Sequence, residues 1–219
     1  MIKAVIFDLD NTLLDRTITF GSFTDSLVRT YFSHLENTQF IRNRIIELDE
    51  DGYKNKNELF AELLEELPWS STKPTKAELL SFYSEEYVKC AVLMEQALEV
   101  LQHARSKYLT GLITNGRTMI QYGKIDQVAI RDAFDLILVS EEAGCKKPDP
   151  TIFQMALNRL QVQADECLFI GDHPVNDVEG AAKSGMHTVW LKVNQPWRED
   201  LQAKPLHEID KLCELLELI

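Results

Sequence analysis

The sequence of 219 residues has few cysteines and no long apolar run. Its four cysteines are far apart and none forms a Cys-x-x-Cys pair, which argues against a zinc site and against a disulfide framework. No segment approaches the roughly 18 consecutive apolar residues of a membrane-spanning helix. The apolar N-terminal run is interrupted at Asp8, too early for a secretory signal. We therefore expect a soluble cytoplasmic protein without membrane association.

Basic residues are also scarce. Lys and Arg total 23 against 35 Asp and Glu, so the formal net charge is −12. Nucleic acids and anionic membranes require a surplus of basic side chains, so we do not expect nucleic-acid partners, although a local anion site is compatible with this charge. The 45% hydrophobic and 26% charged residues are typical of a globular protein with a real core. No feature of the sequence sets the oligomeric state.

What the chain does contain is a series of short apolar runs, each followed by polar residues. The runs are Ala4–Phe7, Leu109–Ile113, Leu136–Val139, Cys167–Ile170 and Thr188–Val193. They do not alternate between apolar and polar residues, as is typical of parallel strands buried on both faces. Helical patterns lie between or after them, at Ala97–Lys107, Pro150–Leu160, Val175–Ser184 and Leu206–Ile219. This alternation predicts an α/β fold with a doubly wound parallel sheet.

The segment 17–93 differs from the rest because it contains no strand-like run. It has four amphipathic helical patterns instead, at Phe20–His34, Gln39–Asp49, Lys56–Leu67 and Thr75–Lys89. We therefore predict that residues 17–93 form a helical domain inserted into an α/β domain made of residues 1–16 and 94–219.

Four polar clusters follow predicted strands, the third after a longer gap. They are Asp8-Leu9-Asp10-Asn11-Thr12, Thr114-Asn115-Gly116, Lys146-Lys147-Pro148-Asp149-Pro150, and Gly171-Asp172 with Asn176-Asp177. The carboxyl ends of parallel strands line one crevice, where α/β proteins bind ligands. We expect these clusters to converge there.

The convergent groups suit a divalent cation and a phosphate. Asp8, Asp10 and Asp172 supply the hard oxygen ligands that Mg²⁺ prefers. No set of His and Cys residues competes, so zinc is not predicted. Carboxylates alone would repel a phosphate dianion, but Mg²⁺ and Lys147 reverse the local field.

These clusters resemble the four motifs of the haloacid dehalogenase-like hydrolase superfamily, in the same order. They read Asp-x-Asp-x-Thr, Ile-Thr-Asn-Gly, Lys-Pro-Asp-Pro and Gly-Asp-x4-Asp. The helical insertion resembles the α-helical cap that this superfamily carries between its first and second motifs. The resemblance implies a Rossmann-like fold with an inserted helical cap.

The resemblance also implies roles for the residues that match the motifs. Asp8 is the nucleophile that becomes an aspartyl phosphate, and Asp10 is the general acid and then the base. Thr114 and Lys147 hold phosphoryl oxygens. Dehalogenases and phosphonate hydrolases of the superfamily lack an acid two residues after the nucleophile. The presence of Asp10 at this position therefore favours phosphoryl transfer.

The metal ligands implied are Asp8, Asp10, Asp172 and Asp177. For Asp177 two roles stay open, a second metal contact or the orientation of Lys147 or a water. The candidate substrate contacts are Thr12, Asn115 and Gly116 of the motifs, together with Arg16, Thr17 and Phe20, which are chosen because they follow Asp8 closely in the sequence. His173 is left outside the catalytic set.

These features predict a Mg²⁺-dependent phosphatase acting on a small phosphomonoester of the nucleotide, sugar phosphate or phosphoglycolate type. A phosphomutase that returns the phosphoryl group to a sugar is the alternative. A catalytically silent binding module is a third hypothesis, although the intact pair Asp8 and Asp10 together with Lys147 argues against it.

Overall fold

The structure, a computed structural model, describes residues 1–219. It contains six strands and ten α-helices. The strands are β1 (Ala4–Phe7), β2 (Leu109–Thr114), β3 (Leu136–Val139), β4 (Cys167–Gly171), β5 (His187–Leu191) and β6 (His207–Ile209). The helices are α1 (Arg16–Tyr31), α2 (Gln39–Asp49), α3 (Lys56–Glu66), α4 (Lys76–Lys89), α5 (Ala97–Lys107), α6 (Thr118–Gln127), α7 (Ser140–Ala143), α8 (Pro150–Leu160), α9 (Gly180–Lys183) and α10 (Leu215–Leu218). None of these helices is both long and apolar enough to cross a membrane.

The strands form one parallel sheet in the order β3-β2-β1-β4-β5-β6. In β1, Val5 pairs with Thr110 of β2 and with Leu168 of β4. The chain winds outward from β1 in one direction and then in the other, so β1 and β4 lie at the point where the winding reverses. In open α/β sheets this point is where ligands bind. The predicted doubly wound α/β fold is confirmed.

Both faces of the sheet are buried, which explains why the strand sequences do not alternate. On one face Val5 and Phe7 of β1 pack with apolar residues of α5 and with Leu215 of α10. On the other face Ala4 and Ile6 pack with apolar residues of α8. The carboxyl end of β1 is thereby anchored from two sides.

The chain divides into two compact units. The sheet unit comprises residues Met1–Asp15 and Leu93–Ile219, and the helical unit comprises Arg16–Val92. The helical unit holds α1 to α4 around an aromatic cluster, in which the ring of Phe23 lies 5.2 Å from Tyr83 and 6.0 Å from Tyr87, edge to face in both pairs.

Three segments differ from the helical patterns read in the sequence. The segment predicted as the helix Val175–Ser184 begins as a π-helix, Pro174–Glu179, and continues as α9. The prediction of a C-terminal helix over Leu206–Ile219 was wrong in its first part, because His207–Ile209 forms the edge strand β6 and Ile209 is buried against the sheet. Helix α6 was not predicted, since two of its buried positions are Gln121 and Lys124, which break the apolar stripe.

Candidate active site

The loop after β1 places two carboxylates close to the sheet. The amide of Asp8 donates to the carbonyl of Ile170, so the pairing with β4 continues one residue beyond β1. Leu9, fully buried, accepts hydrogen bonds at its carbonyl from the amides of Leu13 and Leu14. Thr12 is also fully buried, and its hydroxyl has no hydrogen-bond partner. The result is a tight loop that carries Asp8 and Asp10 on either side of a buried leucine.

Lys147 lies between two of the aspartates that were predicted to belong to the site. Its Nζ is 2.5 Å from Oδ1 of Asp8 and 2.6 Å from Oδ1 of Asp177. It also lies 5.4 Å from the centre of the Phe169 ring. Oxygens of Asp8, Asp172 and Asp177 lie within 4.8 Å of one another, and all three residues are buried. We call Asp8, Lys147, Asp172 and Asp177 the acidic centre.

Burial and charge shift the pKa values of this centre. Burial raises the pKa of Asp8 to about 7, with Lys147 opposing the shift and Asp177 adding to it. For Lys147, burial lowers the pKa, but the charges of Asp177 and Asp8 outweigh it and the net shift is upward. Lys147 is therefore an ammonium at neutral pH. With three acidic groups and one ammonium, the centre favours a bound cation.

Local backbone geometry brings Asp177 into contact with β4. A Cβ on Gly171 would lie 2.5 Å from Cβ and Cγ of Asp177, so only glycine fits there. The π-helix begins after His173, whose Nδ1 accepts hydrogen bonds from the amides of Val175 and Asn176. The amide of His173 in turn donates to Oδ2 of Asp177, at 2.9 Å. Asp177 is thus held from both sides, by His173 and by Lys147.

Asn115 ties the second motif to the third. Its Nδ2 donates to the carbonyl of Lys147 at 3.0 Å, and the amide of Lys147 donates to its Oδ1 at 2.9 Å. The amide of the next residue, Gly116, donates to the hydroxyl of Ser140. The side chain of Asn115 therefore holds the backbone of Lys147 in place.

Asp10 has partners that the sequence interpretation missed. Nζ of Lys124 lies 2.6 Å from both carboxylate oxygens of Asp10, and Nε2 of Gln121 lies 3.0 Å from Oδ2. Although predicted as a metal ligand, Asp10 does not belong to the acidic cluster formed by Asp8, Asp172 and Asp177. The sequence feature that could have indicated these partners is the pair Gln121 and Lys124, which lie about one helical turn apart and shortly after the second motif.

The three candidate substrate contacts of the helical unit lie at the start of α1. Arg16 is buried, 2.6 Å from Oδ2 of Asp49, with its guanidinium 5.1 Å from the centre of the Phe20 ring. Phe20 packs in the aromatic cluster, 5.6 Å from Phe23, and Thr17 is exposed. Their contact with a substrate stays a prediction.

Comparison with known proteins agrees with the motifs. Residues 5–191 match the family model of haloacid dehalogenase-like hydrolases. The chain is 32% identical to glyceraldehyde 3-phosphate phosphatase of Pyrococcus abyssi, over all of this chain and 94% of the relative. It is 29% identical to the enzyme of the same name from Pyrococcus furiosus, over all of this chain and 93% of that one.

Among solved structures, the fold is similar to the magnesium-bound HAD hydrolase YfnB from Bacillus subtilis. The TM-score is 0.80 at 24% identity, covering 99% of this chain and 98% of that one. This likeness concerns the fold, while the family model and the relative from Pyrococcus abyssi confirm the resemblance read from the four motifs.

Proposed function

The chain belongs to the haloacid dehalogenase-like hydrolase family, and from this premise we propose that it is a Mg²⁺-dependent phosphatase that uses an aspartyl-phosphate intermediate. The observation that carries the proposal is the acidic centre. Asp8 is buried at the end of the central strand, 2.5 Å from the ammonium of Lys147 and beside the carboxyl groups of Asp172 and Asp177. This arrangement fits the stabilisation of a phosphoryl group transferred to a carboxylate.

The substrate proposed is a small phosphomonoester of the nucleotide, sugar phosphate or phosphoglycolate type. Two relatives that align with all of this chain, over 93% and 94% of their own length, are named for glyceraldehyde 3-phosphate, which is a small ester of this kind. In this proposal the helical unit serves as the cap that excludes bulk water during catalysis.

The donor set of the acidic centre fits Mg²⁺. An octahedral Mg²⁺ has ligand oxygens about 3 to 4 Å apart, close to the spread of the oxygens of Asp8, Asp172 and Asp177. Asp8 and Asp172 are the proposed ligands. Asp177, whose two oxygens accept from Lys147 and His173, acts chiefly by orienting Lys147. The ion would neutralise carboxylate charge and bind a phosphoryl oxygen.

The residues of the sheet unit divide the chemistry between them. A carboxylate oxygen of Asp8 forms a bond to phosphorus as the bond to the ester oxygen breaks, and Asp10, which enters this step in its protonated form, gives its proton to that leaving oxygen and becomes a carboxylate. A water then attacks phosphorus and gives a proton to Asp10, while the bond between phosphorus and Asp8 breaks. Free phosphate leaves, and both aspartates return to their initial states.

Lys147 and Thr114 are the proposed donors to the phosphoryl oxygens during both steps. The hydroxyl of Thr114 accepts a hydrogen bond from Gln121 at 2.5 Å, which leaves its own proton to donate. The ammonium of Lys147 has three protons, two of which bind Asp8 and Asp177. The third is directed to the phosphoryl group in this proposal.

The proposal is tested by phosphate release from 4-nitrophenyl phosphate, with and without Mg²⁺, by the wild type and Asp8→Asn. We expect turnover only in the wild type with Mg²⁺, and trapping of phosphate on Asp8 by rapid quench. Equal turnover by the two proteins would contradict a covalent mechanism. A panel of phosphate esters then identifies the substrate, and formation of an isomeric sugar phosphate instead of free phosphate would indicate the mutase.

A further inference from the structure

Helix α6 carries two buried polar side chains that the reaction described above does not use directly. Gln121 is 3% exposed and Lys124 is 1% exposed, three residues further along the same face of the helix. A buried ammonium is costly unless it is paired, so its position in a helix requires a partner. That partner is Asp10, which lies more than a hundred residues earlier in the chain.

The contacts hold both oxygens of the Asp10 carboxylate. Nζ of Lys124 lies 2.6 Å from Oδ1 and 2.6 Å from Oδ2. Nε2 of Gln121 adds a contact of 3.0 Å to Oδ2. Charge-assisted hydrogen bonds to both oxygens of a carboxylate define the plane of the group as well as its place.

The same amide connects Asp10 to the second motif. Nε2 of Gln121 lies 2.5 Å from Oγ1 of Thr114 and 3.2 Å from the carbonyl of Asn115. Gly116 makes room for this side chain, because a Cβ there would lie 2.8 Å from Cδ of Gln121. Gly116 also has a φ of +151°. Helix α6 is itself anchored by Ile120 and Ile125, whose side chains are buried.

We propose that Lys124, supported by Gln121, is a positioning residue that holds the Asp10 carboxylate where it meets the leaving oxygen of the substrate. This inference rests on the proposed function, in which Asp10 is the general acid and then the base. Acid catalysis requires the acid within hydrogen-bond reach of its target, so a small displacement of Asp10 lowers its contribution. A lysine that only neutralised the charge of Asp10 would not change how strongly the rate depends on the leaving group.

The test compares two esters of similar shape, 4-nitrophenyl phosphate and phenyl phosphate. The first has a good leaving group that needs little protonation, and the second has a poorer one that needs more. The quantity measured is the ratio of their kcat/KM values, which reports the step that forms the phosphoenzyme. For Lys124→Met we expect this ratio to rise about tenfold in favour of 4-nitrophenyl phosphate, a part of the roughly 10² to 10⁴ that general acids contribute. An unchanged or smaller ratio would overturn the proposal.

A double-mutant cycle with Asp10→Asn shows whether Lys124 acts through Asp10. In the Asp10→Asn background, adding Lys124→Met should leave the ratio unchanged, since the acid is already gone. A further rise of the same size in that background would show that the two residues act independently, and would also overturn the proposal.

The matched control is Lys183→Met, which removes another ion-paired lysine of the sheet unit. The side chain of Lys183 is exposed, with its Nζ 2.6 Å from Oε1 of Glu179, and no change in the ratio is expected. If Lys124→Met unfolds, as its melting temperature would show, Gln121→Leu replaces it in the same cycle with the same two outcomes. Loss of the Asp8 requirement would instead refute the proposed function, so the two failures are distinguishable.

Discussion

Two clusters of charged side chains, each built around buried carboxyl groups, differ in their balance of charge. The acidic centre of the sheet unit has three carboxyl groups that lie close together and one ammonium, which contacts those of Asp8 and Asp177. In the helical unit, the fully buried Asp49 lies 2.6 Å from Arg16 and 2.8 Å from Lys56, and Asp51 lies 3.3 Å from Arg16. We call these four residues the balanced cluster. Its charges are matched in number.

This difference in charge balance is consistent with different roles for the two clusters. In a cluster with matched charges each buried charge has a partner of opposite sign, and removing one partner leaves an uncompensated charge that destabilises the fold. A buried cluster with surplus negative charge is stable only if protons or a cation reduce that charge, and the raised pKa of Asp8 is one sign of this. Both clusters contain buried carboxyl groups, so the surplus negative charge of the acidic centre is the feature that supports its proposed role as the site.

The largest effect is expected in the balanced cluster. Asp49→Ala leaves Arg16 and Lys56 without their shared carboxylate, and we expect the free energy of unfolding to fall by about 3 to 5 kcal/mol. Chemical denaturation measures this change. The control is Asp25→Ala, which removes a carboxylate 2.7 Å from Arg42 at the surface and should cost at most about 1 kcal/mol. Equal losses in the two variants would show that burial of the ion pair is irrelevant.

The next effect tests the one ammonium of the acidic centre. Lys147→Met removes the proposed donor to the phosphoryl group, and we expect kcat to fall about 10²- to 10³-fold, as for other donors aimed at a developing charge. Steady-state assays with 4-nitrophenyl phosphate measure it. The adjacent, exposed Lys146 provides the control, because Lys146→Met should change kcat by no more than about twofold. Similar losses in both variants would assign the effect to net charge.

Stabilisation by bound Mg²⁺ should depend on the acidic centre and not on the balanced cluster. At about 100 times its dissociation constant, Mg²⁺ should stabilise the wild type by about 2.7 kcal/mol, seen as a higher melting temperature. Asp172→Asn should abolish this shift. Asp149→Asn should retain it, because Asp149 lies outside the cluster and an asparagine caps α8 as well as an aspartate does. A shift that survives in Asp172→Asn would place the ion elsewhere.

The smallest effect concerns the support of Lys147. Asn115→Ala removes two hydrogen bonds to the backbone of Lys147, each worth about 1 kcal/mol, and we expect kcat to fall about tenfold while the fold persists. The control is Asn158→Ala, which removes an exposed hydrogen bond to Gln154 on α8. Wild-type kcat in Asn115→Ala would show that Lys147 keeps its place without this contact.

Much of the sheet could be predicted because its strands are buried on both faces. The bounds of β1 and β3 coincide with the apolar runs Ala4–Phe7 and Leu136–Val139. Strand β6 could not be predicted, because it has three residues and only Ile209 is buried. Its place is decided by pairing with β5, a contact that no local pattern records.

The residues of the candidate site likewise divide into those that could be predicted from the sequence and those that could not. The convergence expected for Asp8, Lys147, Asp172 and Asp177 follows from parallel topology, since each residue comes soon after a strand or a strand-end loop. Lys124 lies inside a helix instead, where an isolated lysine normally indicates a solvent-exposed face. Its burial against Asp10 depends on how α6 packs beside the first loop.

The sequence by itself determined the parallel α/β fold, the helical character of the insertion and the four motifs, because buried strands and helices leave periodic patterns that need no partner to be read. Only the tertiary structure decided that Lys124 and Gln121 hold Asp10. It also decided that Asp177 contacts Lys147, in a position that is open because Gly171 has no side chain. In the helical unit it decided that Asp49 lies between Arg16 and Lys56. These are contacts between side chains far apart in the chain, and their distances are set by packing, which local sequence does not encode.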